Sequence, residues 1–149
     1  TTPASSASTG SLVNAGGLGN AGVIFGGDKI VSNNATAGVG YATGAGGTVT
    51  QTTSKSTGVT LNKVSGTITM NNAALAAGTT VGFTLTNSAI AATDVVLVAI
   101  KSGATASSYQ AQVAATAAGS CVVELRNASG GPLSEAVALN FVVIKGVAT

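Results

Sequence analysis

Short runs in which an aliphatic side chain alternates with Thr, Asn or Gly constrain this chain more than any other feature. Val81, Phe83 and Leu85 alternate with Thr80, Gly82, Thr84 and Thr86, and Ile68 and Met70 alternate with Thr67, Thr69 and Asn71. A period of two sends successive side chains to opposite faces of an extended strand, so each run predicts a half-buried antiparallel strand with a Thr-rich outer face. Residues 48–53, Val59 with Leu61, residues 109–113 and residues 121–126 extend the pattern. Gly-containing turn signals separate the runs, at Ser65-Gly66, Ala77-Gly78, Ser102-Gly103, Ala118-Gly119 and Ser129-Gly130-Gly131-Pro132. The Ala-rich stretches 71–77 and 111–118 are the helical alternatives, each too short for more than a single turn. The expected fold is all-β: an antiparallel β-sandwich or jelly-roll-like domain of about eight strands.

Two runs are apolar on both faces. Residues 95–100 should meet the core on one side and a neighbour or the N-terminal arm on the other. In residues 136–145, Val137, Leu139, Phe141 and Val143 share one face, and Ala138, Asn140, Val142 and Ile144 the other. That pattern predicts a central strand or an oligomer contact, with Val142 and Ile144 as candidate partner-contact residues.

The preceding part of the chain differs in kind. Residues 1–47 hold 12 of the 21 glycines and few large apolar side chains, so they read as an extended Gly/Ala-rich N-terminal arm before a β-sandwich domain over residues 48–149. Glycine-rich chain loses much entropy on ordering and has little to bury. The arm's apolar clusters, Val23-Ile24-Phe25 and Ile30-Val31, are too sparse for a core of their own. All five residues are therefore candidate partner contacts, suited to lying on another subunit's surface.

Catalysis has little to work with here. The chain has 6 Lys and Arg, 4 Asp and Glu, one Cys and no His, and no two acidic residues fall close together. Acid–base or nucleophilic chemistry needs a group of tunable pKa or a nucleophile beside a base, so a non-enzymatic role without cofactors is expected. Six scattered cations without a basic run make nucleic acid an unexpected partner. The longest apolar stretch is far shorter than the roughly 20 residues of a spanning helix, so no membrane is expected either. Thr1-Thr2-Pro3 opens without a signal-peptide pattern, which is compatible with one already removed.

Individual motifs mostly favour structural explanations. Gly17-Leu18-Gly19-Asn20-Ala21-Gly22 fits G-x-G-x-x-G but lacks the flanking strand, helix and downstream acid of a dinucleotide site. Asn34-Ala35-Thr36 and Asn127-Ala128-Ser129 are glycosylation sequons expected by chance in a chain this rich in Asn, Ser and Thr. Cys121 alternates with Val123 and Leu125 and is expected as a small buried apolar residue. Glu124 and Arg126 share an outward face, where a solvated or cross-strand ion pair is expected, and Asp94 reads as a surface turn residue. Of the aromatics, Phe83 and Phe141 fall on core positions, which leaves Tyr41 and Tyr109 for sugar binding; the loops at Tyr109 and at Ser129 to Pro132 are the candidate ligand-binding loops.

The stretch Gly38-Val39-Gly40-Tyr41-Ala42-Thr43-Gly44-Ala45-Gly46-Gly47, continuing through Thr48-Val49-Thr50-Gln51, Thr57-Gly58-Val59-Thr60-Leu61 and Ser65-Gly66-Thr67-Ile68, resembles a module of tailed-phage and prophage structural proteins. Val81-Gly82-Phe83-Thr84-Leu85 and Gly131-Pro132-Leu133-Ser134-Glu135-Ala136 are similar to it as well, so the likeness spans roughly residues 38–145. The resemblance implies a non-enzymatic β domain on the virion. The expectation is a capsid decoration or cement protein on the capsid exterior, with the major capsid protein and further copies of itself as partners, a trimer preferred and a dimer open. The alternative is a receptor- or glycan-binding module of a tail or head fibre, the only reading that calls for a glycan.

Overall fold

Eight strands form where the alternation predicts them, and they divide between two sheets. The computed structural model describes residues 35, 36 and 38–147. In chain order the strands are β1 (Thr48–Thr50), β2 (Val59–Thr60), β3 (Ser65–Thr69), β4 (Thr80–Thr86), β5 (Val95–Ser102), β6 (Tyr109–Ala117), β7 (Ser120–Asn127) and β8 (Ala138–Ile144). One four-stranded sheet has the order β1-β3-β8-β5 and the other β2-β4-β7-β6. The fold is an all-β sandwich.

Not every pairing is antiparallel, as the alternation alone suggested. β1 runs parallel to β3 and β2 parallel to β4. The chain alternates between sheets over its first four strands, so each return to a sheet follows a full crossover and restores the original direction. From β4 onward the pairings are antiparallel: β4 with β7, β6 with β7, and β8 with both β3 and β5.

The inward positions of the two sheets meet in one apolar core. Ile68, Leu85, Val123, Leu125, Leu139 and Val143 are fully buried, with Phe83 and Phe141 nearly so. Cys121 sits among them as expected, 2% exposed, and burial pushes its thiol up to about 11. The strand β8 is central in its sheet, between β3 and β5.

Tertiary pairing overrides local signals at three places. Residues 111–117, an Ala-rich helical alternative, are strand because β6 pairs with β7 along its whole length. Residues 71–77 are not helical either: the Asn71 side chain accepts the Ala73 amide, and Leu75 bridges to Leu133. Ser65-Gly66, read as a turn, begins β3. Gly66 faces inward, where a Cβ would lie 2.7 Å from the Gly47 carbonyl and 2.9 Å from the Phe141 ring, so glycine is needed for close packing rather than for turning.

Residues 40–47, grouped with the arm by composition, belong to the compact unit that begins at Gly40. The Gly47 carbonyl accepts the Thr67 amide at 2.9 Å, and the Tyr41 hydroxyl donates to the Val143 carbonyl at 2.5 Å.

Candidate functional site

The two outer faces of the sandwich are chemically unlike. On the β2-β4-β7-β6 sheet the outward cross-strand pairs include Thr80 with Arg126, Thr84 with Val122, Thr86 with Ser120, and Gln112 with Glu124. This is the mostly polar surface that water requires of such a sheet face. The Gln112 side-chain amide donates to Glu124 at 2.8 Å, so the Glu124 partner is this amide and not Arg126.

The outward pairs on the other sheet are Val95 with Ile144, Leu97 with Val142, and Ala99 with Asn140. Val95 is 53% exposed, Leu97 51% and Ile144 49%, although each sits in a well-formed strand. Because register makes these residues direct neighbours across β5 and β8, they form one patch and not isolated apolar residues. An open groove of about 800 Å³ overlaps the patch, lined by Leu97, Ala99, Val142, Asn140, Ser65 and Thr67 and bounded by Gly46 and Lys101.

Asn140 enters this face from the central strand, and the charged groups lie at its ends. The Thr67 hydroxyl donates to Asn140 at 2.8 Å and itself accepts the Lys101 ammonium at 3.2 Å. At the opposite end, Asp94 precedes β5 and Lys145 follows β8, and the two meet at 2.5 Å. Asp94 is therefore not the surface turn residue expected: it is 5% exposed and accepts the amides of Ala91 at 2.8 Å and Gly146 at 3.1 Å. The Ala91 amide, then the Lys145 ammonium, hold its carboxyl down to about 2, against the opposing effect of burial.

A second polar cluster lies at the other end of the sandwich and was not legible in the sequence. Lys55 is 3% exposed; its ammonium donates to the carbonyls of Asn71 at 2.5 Å and Glu135 at 2.6 Å. Burial lowers its pKa, with the nearby Glu135 charge opposing. The Glu135 carboxylate accepts the Thr105 hydroxyl at 2.7 Å, and that bond leads the effects lowering its pKa. Gln51, 2% exposed, ties the same loop together through the carbonyls of Lys55 and Thr57. These contacts bind loops to strands. Each polar atom of Lys55 and Gln51 is directed at backbone, which is the geometry of a staple.

Of the candidate residues, Val142 and Ile144 lie on the apolar outer face, Val142 half-buried and Ile144 exposed. Val23, Ile24, Phe25, Ile30 and Val31 fall outside the described residues, as do the glycine motif at 17–22 and the Asn34 side of the first sequon. Pro132 is exposed. Tyr109 is corrected: it is 7% exposed and part of the core, so its ring offers no face to a ligand. Its hydroxyl is buried beside Glu135, and burial, then the neighbouring Glu135, push it up to about 12. The second sequon is closed, because Asn127 is fully buried and its amide donates to the carbonyls of Leu75 and Gly131.

Among the described residues no group of three His, Cys, Asp or Glu side chains gathers as a metal site, and no helix is long and apolar enough to cross a membrane. No family model, no curated protein and no solved structure matches the chain.

Proposed function

We propose that this protein is a non-enzymatic structural component of a phage particle, a decoration or cement protein that binds the outer capsid surface and bridges subunits. The observation that carries the reading is the apolar outer face of β5 and β8, where Val95, Leu97 and Ile144 are each about half exposed. A protein with such a face and little titratable chemistry acts through contact area. Cementing draws on that: apolar burial contributes about 25 cal/mol per Å², and many copies on a lattice sum modest contacts into a large effect. The resemblance of residues 38–145 to phage structural modules supplies the setting.

Particles lacking this protein should release their DNA or rupture at a lower temperature than complete ones, and equal heat resistance would count against the proposal. In this reading the N-terminal arm contacts the capsid, so removing residues 1–37 should lower occupancy on particles. Copy number separates decoration from the fibre alternative: hundreds per head fit the first, a few tens at the tail the second. Burial of Tyr109 takes away one of the two residues on which a glycan-binding loop was to rest.

A further inference from the structure

We propose that the polar outer face of the β2-β4-β7-β6 sheet holds a shallow site for a neutral saccharide, formed by Thr80, Gln110, Gln112, Glu124 and Arg126. These five side chains line a recess of about 190 Å³. It lies on the side of the sandwich opposite the apolar face of β5 and β8, so it stays open when that face is covered. The site stands on its own geometry and does not depend on what the apolar face binds.

Register brings the five side chains together. Thr80, Arg126 and Gln110 form one row across β4, β7 and β6, and Gly82, Glu124 and Gln112 form the next. With strands about 4.8 Å apart and rows on one face about 7 Å apart, the array covers about 10 by 7 Å, the footprint of a sugar ring with its hydroxyls. Gly82 keeps it open. This glycine has no positive φ, and an added Cβ would meet the Glu124 side chain at an ordinary 3.6 Å, so neither conformation nor packing within the chain calls for glycine here. Glycine weakens a strand interior, and where the fold does not need it, it marks the close approach of another group.

Arg126 stands apart from the other cations. Among the described residues every lysine ammonium is engaged by its own chain: Lys55 by the Asn71 and Glu135 carbonyls, Lys63 by that of Gly44, Lys101 by Thr67, and Lys145 by Asp94. The Arg126 guanidinium has no such partner, although Glu124 is two residues away on the same face. Glu124 turns to Gln112 instead, which occupies one carboxylate oxygen and leaves the other for a ligand. The recess therefore offers a planar fork of donors, a carboxylate oxygen, two amides and a hydroxyl, with formal charges that cancel.

These groups select the ligand class. A simple anion is drawn by Arg126 and repelled by Glu124, and a simple cation the reverse, so neither gains from the pair. An apolar group finds no aliphatic or aromatic residue in the lining. Adjacent hydroxyls on a sugar ring fit both halves: each donates to a carboxylate or amide oxygen and accepts from a guanidinium or amide N–H, and planar side chains match such hydroxyls in pairs. Without an aromatic platform the affinity of one site is low, with a dissociation constant on the order of 1 mM for a ligand of about 12 non-hydrogen atoms. Display of many copies on one particle offsets that weakness.

Titration of the isotopically labelled full chain, followed by backbone and side-chain NMR, tests the site. The probes are glucose, galactose, mannose, rhamnose and N-acetylglucosamine, each to about 50 mM, with sodium acetate as the ionic control. At least one sugar should give saturable shifts at Arg126, Gln110, Gln112 and Thr80, and acetate should give none there. Arg126→Met, which keeps the stem at an exposed position, should raise that dissociation constant about 10-fold or more. Gly82→Thr repeats the residue type of Thr80 and Thr84 on the same face of β4, so it should fold normally and weaken binding at least as much by filling the recess. No saturable shift from any of the five sugars, shifts centred elsewhere, equal shifts from acetate, or binding unmoved by both substitutions overturns the proposal. Binding is read on isolated protein, so its failure is distinct from unchanged heat resistance of particles lacking the protein.

Discussion

The carboxylate of Asp94 and the ammonium of Lys145 meet at 2.5 Å, joining the start of β5 to the end of β8 beside the exposed apolar face. The carboxylate is shielded while the ammonium side chain is 59% exposed, so the pair is anchored from the Asp94 side by the Ala91 and Gly146 amides. The result is a latch across two adjacent strands whose outward residues, Val95 and Ile144, lie directly next to it.

The latch should make stability depend on pH at the acid end. A carboxyl held down to about 2 from its ordinary 3.8 binds fewer protons in the folded chain than in the unfolded one. Its contribution is therefore complete above pH 3.8 and is lost as pH falls toward 2. Asp94→Asn should lower the melting temperature at neutral pH and flatten its slope across that acid window. A variant with the wild-type slope between pH 4 and pH 2 would remove Asp94 as the source.

Tyr109 predicts the opposite behaviour at the alkaline end. Its hydroxyl is pushed up to about 12 from 10, so the unfolded chain loses this proton first and stability falls as pH rises from 10 to 12. Tyr109→Phe removes the buried hydroxyl and its interaction with Glu135 without opening a cavity. The variant should stay within about 1 kcal/mol of wild type at neutral pH, with a shallower alkaline decline in chemical denaturation. A clear loss of stability at neutral pH would contradict this account.

Lys55 should be costly to remove despite being a lysine. Lys55→Met keeps most of the buried stem but leaves the Asn71 and Glu135 carbonyls without their donor. An unsatisfied buried carbonyl costs about 1–3 kcal/mol, and since both of these are half-buried and the ammonium's own desolvation is relieved, urea unfolding should show a loss of about 1–3 kcal/mol in all. Lys63→Met, where the ammonium reaches the Gly44 carbonyl at an exposed site, should change little.

Two glycines separate backbone need from mere flexibility. Gly103 has a φ of +72°, and an added Cβ would lie 2.5 Å from the Ala136 carbonyl, so Gly103→Ala should cost on the order of 1–3 kcal/mol. Gly130 meets nothing within 4 Å and has no such φ. Gly130→Ala should be neutral or stabilise by about 0.4–1 kcal/mol through the unfolded chain, and paired thermal melts distinguish the two.

Much of the fold is readable from local pattern, and the exceptions share a cause. Alternation at 80–86 and 120–127 places Phe83, Leu85, Cys121, Val123 and Leu125 on the core side, where they are found. The double-faced run at 138–144 marks both the central strand and the exposed Ile144. Gly66, Asp94 and Tyr109 are misread because each looks like a surface or turn residue to its neighbours in sequence. Each is instead defined by segments far along the chain: Gly47 and Phe141 for Gly66, Lys145 and Gly146 for Asp94, and Glu135 for Tyr109. Lys55 carries no local signal at all, since its partners lie 16 and 80 residues away.

Strand positions and the inward or outward sense of each side chain follow from period two, a property of the backbone that needs no partner. Which strands become neighbours, and in which direction, depends on crossovers and long-range pairing, and so β1 and β2 run parallel to β3 and β4 against local expectation. The same holds for the two apolar faces of β5 and β8. Pattern alone shows that both faces are apolar; among the described residues one of them is left uncovered, because the other sheet can occupy only one side.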